Sequence, residues 1–97
     1  MRVEYHPAVE KELREIINYY NRCSAGLGSE FLNEFERQAL NIASNPFLWM
    51  EIEKGVRRAL LRRFPYTVYF RVVDIDLLRI TAVKHQRRHP ILAVKRK

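Results

Sequence analysis

Apolar residues in the first part of the chain recur at the spacing of an amphipathic helix. The stretch from Arg2 to Tyr5 predicts a short strand, and Pro7 follows it at the first position of a helix, where proline is tolerated. The apolar stripe of this first helix consists of Val9, Leu13, Ile16, Ile17 and Tyr20. The glutamates off that stripe, which suit the N-terminal half of a helix, are Glu10, Glu12 and Glu15.

A second helix is predicted from about Ser29 to Ser44. Its apolar stripe consists of Phe31, Phe35, Ala39 and Ile42, widened by Leu32 and Ala43. Gly26 and Gly28 predict a turn before this helix. Asn45-Pro46 ends it, because the residue before proline avoids helical backbone angles. Two helices with so short a connection form an antiparallel hairpin.

From Val56 onward, apolar and polar residues alternate, which is typical of strands. The predicted strands are Val56 to Arg63, Tyr66 to Val73, and Leu77 to His85. The turn between the last two is predicted to be Asp74-Ile75-Asp76. The order β-α-α-β-β-β predicts an α+β fold, with an N-terminal strand and a helical hairpin packed on a mainly antiparallel sheet. No linker or repeat interrupts residues 1–97, so one domain is expected.

The alternation also predicts which side chains face the helices. The residues expected on that face are Val68, Phe70 and Val72 of one strand and Leu78, Ile80 and Ala82 of the next. A three-residue turn would pair Val72 with Leu78 and Phe70 with Ile80. A two-residue turn would point one of the apolar sets outward, and we reject it on that ground.

The opposite face of the sheet is then predicted to be open and basic. Ala59 and Leu61 are expected in the core, which places Arg58 and Arg62 on the other side of their strand. The residues expected to share that face are Tyr69, Arg71, Arg79, Thr81 and His85, with Thr67 beside them. A sheet with helices on one side and arginines on the other would be a docking surface.

The net charge of +7 is concentrated in the C-terminal half of the chain. Residues 1–54 hold 6 basic and 9 acidic side chains, a net charge of −3, whereas residues 55–97 hold 12 and 2, a net charge of +10. This asymmetry predicts an anionic partner, either nucleic acid or an acidic protein.

Apolar residues make up 47% of the chain, which favours a folded protein over a disordered one. The longest uncharged stretch, Gln38 to Met50, has 13 residues, whereas a membrane-spanning helix needs about 20. A single cysteine, Cys23, forms no internal disulfide and cannot build a zinc site alone. We therefore expect a cytoplasmic protein without membrane contact, metal or cofactor.

Three motifs resemble the RelE/ParE toxin family, also called plasmid stabilization proteins. They are Val3-Glu4-Tyr5-His6-Pro7, Arg63-Phe64-Pro65-Tyr66-Thr67-Val68-Tyr69-Phe70 and His85-Gln86-Arg87-Arg88-His89-Pro90. The resemblance covers nearly the whole chain and implies the toxin of a type II toxin–antitoxin system, neutralised by a cognate antitoxin. RelE-like members are ribosome-dependent mRNA endonucleases, whereas ParE-like members bind and inhibit DNA gyrase. The second and third motifs resemble the ParE side, although many ParE-like sequences have an aromatic residue where Ile91-Leu92-Ala93 stands here.

The residues expected of a RelE-like nuclease are incomplete. Such members resemble one another in an arginine within the third strand and an aromatic hydroxyl near the C-terminus. Here Thr67 occupies the strand position, and no tyrosine follows Tyr69. A second arrangement stays open, in which Glu51 or Glu53 is the base and His85 the acid, since histidine titrates near neutral pH. The chain therefore favours an inhibitor that acts by binding, with the endonuclease as the alternative and a plain nucleic-acid-binding module as a third hypothesis.

The candidate site residues fall into two groups. The predicted target- or phosphate-binding residues are Arg58, Arg62, Arg71, Arg79, His85, Arg87 and Arg88. The predicted antitoxin-binding residues are Phe47, Leu48, Trp49 and Tyr69. Structural roles are the competing interpretation: core packing for the loop around Trp49, a hydrogen-bonded strand end for His85, and a solvated basic turn for Arg87 and Arg88. His89 is expected to be exposed to solvent.

Overall fold

The computed structural model describes residues 1–88 and 90–97, and only the backbone of Ile91 and Leu92. Its helices are α1 (Pro7–Cys23), α2 (Leu27–Ser44) and α3 (Ile91–Lys95), with a 3₁₀ turn at Pro46–Leu48. Its strands are β1 (Arg2–Tyr5), β2 (Glu51–Glu53), β3 (Val56–Leu60), β4 (Tyr66–Asp74) and β5 (Leu77–His85). The α+β class and the helical hairpin are confirmed, while β2 and α3 are elements that the pattern did not predict.

The five strands form one sheet in the order β1-β5-β4-β3-β2. β1 pairs with β5 in parallel, and the other neighbours are antiparallel, so the sheet is mainly antiparallel as expected. The two long helices pack on one face of this sheet over a single apolar core. Within the described ranges, no helix combines the length and apolar character needed to cross a membrane.

The hairpin begins as the sequence predicts but is tighter at its turn. The Nδ1 atom of His6 accepts a hydrogen bond from the Ala8 N–H at 3.0 Å, which caps α1. α2 starts at Leu27 rather than Ser29, so Gly28 lies inside the helix and not in the turn. A Cβ atom at Gly28 would lie 2.5 Å from the Ile17 carbonyl oxygen, so this glycine allows the two helices to approach closely.

The predicted register between β4 and β5 is confirmed, but the turn that produces it is different. Phe70 pairs with Ile80 and Val72 with Leu78, as expected. Asp74 pairs with Leu77, so the loop has only two residues. An irregularity between Val72 and Asp74 adds one residue to β4 and restores the register. Our rejection of a two-residue turn was wrong because it assumed regular strands.

A second irregularity changes the faces at the end of β5. Tyr69 pairs with Ala82 while Phe70 pairs with Ile80, so Thr81 has no opposite residue and forms a bulge. Beyond it, Ala82 packs with Tyr69 on the face away from the helices, which contradicts its predicted position in the helix-side core. Val83 takes that place instead.

β3 ends at Leu60, earlier than the predicted Arg63. Ala59 and Leu61 are buried in the helix-side core, as expected. Arg58 pairs with Tyr69 and therefore faces away from the helices, also as expected. The strand thus supplies one of its two predicted arginines to that face.

Candidate interaction surfaces

The sheet face opposite the hairpin is covered by residues 90–97 of the chain itself. Ala93 in α3 is buried against a small cluster formed by Val56, Tyr69 and Ala82. Tyr69, predicted to contact an antitoxin, is only 4% exposed there. The prediction of an open face is wrong, because alternation shows which side chains point away from the helices but not what packs on them afterwards.

Two of the predicted phosphate-binding arginines hold this covering segment. Arg71 donates to the carbonyl oxygens of Val94 and Arg96, at 2.7 and 3.1 Å. Arg79 donates to the carbonyl oxygen of Lys97 at 2.9 Å. Arg79 also forms an ion pair with Glu4 of β1. Both arginines therefore serve the fold in this conformation.

Glu12 ties the covering segment to α1. Its carboxylate accepts hydrogen bonds from the Val83 N–H at 3.0 Å, from Lys84 at 2.7 Å and from Arg96 at 2.8 Å. The side chain is only 13% exposed. Burial by itself raises the pKa of Glu12, but these hydrogen bonds outweigh it and hold that pKa below its usual value. The carboxylate therefore stays ionised where it joins α1, the edge of β5 and the C-terminal segment.

Sequence reasoning placed Glu12 among ordinary surface glutamates. The signal that would have singled it out is its spacing: Glu12 lies three residues after the buried Val9 and four before the buried Ile16. On a helix these positions are neighbours, so Glu12 borders the buried stripe. A carboxylate that borders the buried side of a helix needs a cation or hydrogen-bond donors to compensate its burial. Most of the lysines and arginines lie in the C-terminal half of the chain, which is where such partners would be sought.

Arg62 is not on the sheet face, contrary to the prediction. It follows the end of β3, and its main-chain N–H donates to Glu34 of α2 at 2.6 Å. The N–H of Arg63 donates to the same carboxylate. The Arg62 side chain lines a cavity of about 520 Å³ beside α2, together with Arg37 and Trp49. Arg62 is thus separated from Arg58.

The loop after α2 divides into a buried and an exposed part. Trp49 packs against the helix-side core, and its Nε1 atom is buried without a hydrogen-bond partner in the part of the chain that the structure describes. Phe47 and Leu48 are 63% and 76% exposed. Arg57 lies 5.1 Å from the Phe47 ring. Core packing thus accounts for Trp49, whereas Phe47 and Leu48 remain accessible to a partner.

His85 lies on the helix side of the sheet, which contradicts its predicted place on the basic face. Its ring meets Tyr66 edge-on, with 5.2 Å between the ring centroids. Its Nδ1 atom accepts a hydrogen bond from the Arg87 N–H at 3.1 Å, so a hydrogen-bonded strand end describes part of its role. The reason for the different face is the bulge at Thr81.

An open cleft of about 280 Å³ surrounds this histidine. We call it the His85 cleft; it is lined by Glu12, Glu15, Ile16, Tyr19, Tyr66, Val83, Lys84, His85 and Arg88. Burial, and to a smaller extent Tyr19, raises the pKa of Tyr66, while Arg88 works in the opposite direction. The phenol therefore keeps its proton near neutral pH and is able to donate a hydrogen bond.

The structure does not bring the candidate base and acid together. β2, which carries Glu51 and Glu53, is separated from β5 by β3 and β4. Neighbouring strands lie about 4.8 Å apart, so about 14 Å separates these glutamates from the strand of His85. Glu51 also accepts a hydrogen bond from the Gly55 N–H at 2.9 Å. Neither glutamate is therefore close enough to His85 to exchange a proton with it.

The turn after β5 exposes two of the predicted target-binding arginines. Arg87 and Arg88 are both exposed, and Arg88 also lines the His85 cleft. His89, which we expected to be exposed, lies outside the described residues. Among residues 1–88 and 90–97, the structure brings no three histidine, cysteine or acidic side chains into a metal-binding group.

Comparison with known families identifies the chain's relatives. The sequence model described as "ParE toxin of type II toxin-antitoxin system, parDE" matches residues 3–90. The chain belongs to the ParE toxin family. No curated protein sequence is a significant match. Membership of a toxin–antitoxin family implies an antitoxin as partner.

Two solved structures share this fold. One is from the chromosomal ParDE toxin–antitoxin system of P. aeruginosa, at 17% identity and a TM-score of 0.76, covering 88% of this chain and 95% of that one. The other is the isolated E. coli RelE toxin, at 14% identity and a TM-score of 0.65, covering 96% of this chain and 92% of that one. At such identities the likeness shows the ParE-type fold alone and does not separate the two target classes.

Proposed function

We propose that this ParE-family toxin acts in the cytoplasm by binding and inhibiting DNA gyrase, with no catalytic step of its own. The observation that carries the proposal is the family match over residues 3–90. It is supported by the incomplete set of nuclease residues, since Thr67 replaces the strand arginine. It is further supported by the separation of His85 from Glu51 and Glu53.

For the contact with gyrase we propose the exposed basic side chains. Arg87 and Arg88 lie in the turn after β5, and the half-buried Arg58 lies opposite Tyr69 on the sheet face away from the helices. Arg62 extends the basic surface toward α2. Positive charge at the rim of an interface mainly speeds association and makes it dependent on salt. Arg71 and Arg79 instead hold the C-terminal segment, as described above.

Gyrase inhibition and mRNA cleavage can be measured side by side. Purified toxin is expected to block supercoiling of relaxed plasmid by gyrase and to leave ribosome-bound mRNA intact. The double variant Arg87→Gln/Arg88→Gln should need about tenfold more protein for the same inhibition, because two charged contacts are lost. Arg14→Gln, which removes an exposed arginine of α1, is the matched control and should inhibit like the wild type.

The alternative is ribosome-dependent cleavage of mRNA, as in RelE-type toxins. The observation that favours it is that His85, Tyr66 and Arg88, an imidazole, a phenol and a guanidinium group, line one cleft. If the toxin cuts ribosome-bound mRNA and leaves gyrase active, this alternative replaces our proposal. The variant His85→Ala should then abolish cleavage while keeping the far-UV spectrum and thermal midpoint of the folded protein.

For the antitoxin we propose a contact with the exposed loop after α2. Leu48→Asp is expected to weaken binding to the protein encoded in the neighbouring reading frame by about tenfold or more, because an apolar anchor is replaced by a charge. Ile75→Asp is the control, since Ile75 is an apolar residue that is 96% exposed in the β4–β5 turn, outside the loop after α2. Isothermal titration calorimetry measures both affinities. Equal losses in the two variants would contradict the assignment.

A further inference from the structure

The cavity beside α2, of about 520 Å³, lies between that helix and the chain that follows β3. We call it the Trp49 cavity; it is lined by Glu34, Arg37, Gln38, Asn41, Trp49, Leu60, Arg62 and Arg63. Its volume is within the range of small-molecule sites, about 300–1,000 Å³. Of these residues, only Arg62 has a part in the proposed contact with gyrase. The proposed function thus leaves a cavity of ligand size without an occupant.

Contacts between α2 and the chain after β3 hold the walls of this cavity in place. The Glu34 carboxylate accepts the main-chain N–H groups of Arg62, at 2.6 Å, and of Arg63, at 3.3 Å. Gln38 donates through Nε2 to the carbonyl oxygen of Leu60 at 3.1 Å. Because these groups are engaged within the fold, the cavity is formed before any ligand binds.

The arginines of the cavity differ in whether a carboxylate neutralises them. Arg63 is paired with Glu30 at 2.7 Å. Arg37 and Arg62 form no ion pair within residues 1–88 and 90–97. The carboxylate of Glu34, which also lines the cavity, is taken by main-chain N–H groups. Since guanidinium groups stay protonated, the cavity offers two of them to an anionic ligand.

Part of the wall is apolar, and this part indicates the kind of anion. Trp49 is half-buried there, and Leu60 is 47% exposed. The Trp49 Nε1 atom is buried without an acceptor in the described part of the chain, so the indole has no hydrogen bond to lose if it turns toward a ligand. Arginine binds carboxylates through two parallel hydrogen bonds. An organic acid suits both parts of the wall, whereas inorganic phosphate has no apolar group to place on the second.

We propose that the Trp49 cavity binds a small organic acid, a carboxylate joined to an aromatic or aliphatic group. The carboxylate lies on the guanidinium groups of Arg37 and Arg62. The apolar group packs against Trp49 and Leu60. The site goes beyond the proposed inhibition of gyrase and does not depend on it, so a toxin that leaves gyrase active still binds the acid.

Phenylacetate, phenylacetamide and acetate test the two parts of the site on the whole chain. Trp49 is the only tryptophan of the sequence, so its fluorescence reports directly on the cavity, and isothermal titration calorimetry gives the affinities. Phenylacetate is expected to bind about tenfold or more tightly than phenylacetamide, because the amide has no charge for the arginines. It is expected to exceed acetate by about tenfold as well, because acetate buries no ring.

Arginine variants test the contact with the carboxylate. Arg37→Gln and Arg62→Gln should each weaken phenylacetate by about tenfold and leave the weaker binding of phenylacetamide unchanged. The wall should stay intact in Arg62→Gln, since Glu34 is bound by the main-chain N–H of residue 62 and not by its side chain. Arg22→Gln, which removes an exposed arginine of α1 outside the cavity, is the matched control and should bind phenylacetate like the wild type.

Two further probes show whether the anion has another source. Inorganic phosphate that binds more tightly than phenylacetate would make the cavity a general oxyanion site, and a blocked Leu-Glu-Leu tripeptide that does so would assign it to a side chain of a partner protein. Either result would overturn the proposal. Equal affinity for phenylacetate and phenylacetamide, tryptophan fluorescence that does not saturate with phenylacetate, or cavity variants that behave like Arg22→Gln would overturn it as well. Weaker binding of both probes, with the losses expected for Arg37→Gln and Arg62→Gln, supports it.

Discussion

Replacing Glu12 by glutamine is expected to lower the free energy of unfolding by about 2–3 kcal/mol at neutral pH. The change removes the charge that Lys84 and Arg96 share, and both of those side chains are mostly buried. Two cations then lie close together without a counter-ion, and the C-terminal segment loses its attachment to α1. Urea unfolding followed by circular dichroism gives the change, and hydrogen exchange shows whether residues 93–97 open first.

The effect should depend on pH in a predictable direction. The folded-state pKa of Glu12 is below its usual value of 4.5, because the hydrogen bonds to its carboxylate outweigh the effect of burial. The stabilisation is therefore complete above the unfolded-state pKa and is lost as pH falls through the folded-state pKa. The difference between wild type and Glu12→Gln should be constant from pH 7 down to about 4.5 and shrink below it.

Glu15→Gln is the control for this experiment, because Glu15 lies on the same helix and is largely exposed. Its stability should differ from the wild type by less than about 0.5 kcal/mol. A Glu12→Gln variant as stable as Glu15→Gln, or a difference that persists unchanged in acid, would show that the carboxylate does not hold the C-terminal segment.

Gly28→Ala is expected to destabilise the protein by about 2–3 kcal/mol, although alanine is the better helix former by about 1 kcal/mol. The added Cβ would lie 2.5 Å from the Ile17 carbonyl oxygen and 2.8 Å from Asn21 Cγ. Backbone cannot move aside as a flexible side chain can, so the two helices must separate. That shift would also lengthen the hydrogen bond from the Gly28 N–H to Asn21 Oδ1, now 2.8 Å.

The sign of the Gly28 effect decides between two roles for this glycine. Ser29→Ala, one residue further along α2 and exposed, should leave stability within about 0.5 kcal/mol of the wild type. If Gly28→Ala instead raises the denaturation midpoint, helix propensity dominates and the close approach of α1 and α2 has little energetic weight.

The covered sheet face changes where a partner can bind this toxin. Arg71 and Arg79 point to the predicted side, yet Arg71 donates to carbonyl oxygens near the C-terminus. Arg79 donates to the carbonyl oxygen of Lys97 and to the carboxylate of Glu4. The accessible positive charge on the predicted target-binding residues therefore lies outside the covered face, in the turn of Arg87 and Arg88 and at Arg62, while Arg58 is half-buried. A target that binds through charge meets those exposed residues first.

By itself, the sequence determined the two long helices, the three main strands and the face of most of their residues. Helical spacing predicted that Phe31 and Phe35 belong to the core, and alternation predicted the same for Phe70 and Ile80. All four are buried. These patterns are reliable because burying apolar area dominates folding and each regular element has its own period. The three motifs that resemble RelE/ParE toxins also indicated the family from the sequence alone.

Only the tertiary structure decided the positions that depend on irregular backbone or on distant contacts. The bulge at Thr81 moves Ala82 and His85 to faces that simple alternation does not predict, because one unpaired residue reverses every later one. α3 is five residues long, too short for a helical period to show in the sequence. The role of Glu12 depends on Arg96, 84 residues away, and a pairing across that distance leaves no local pattern in the chain.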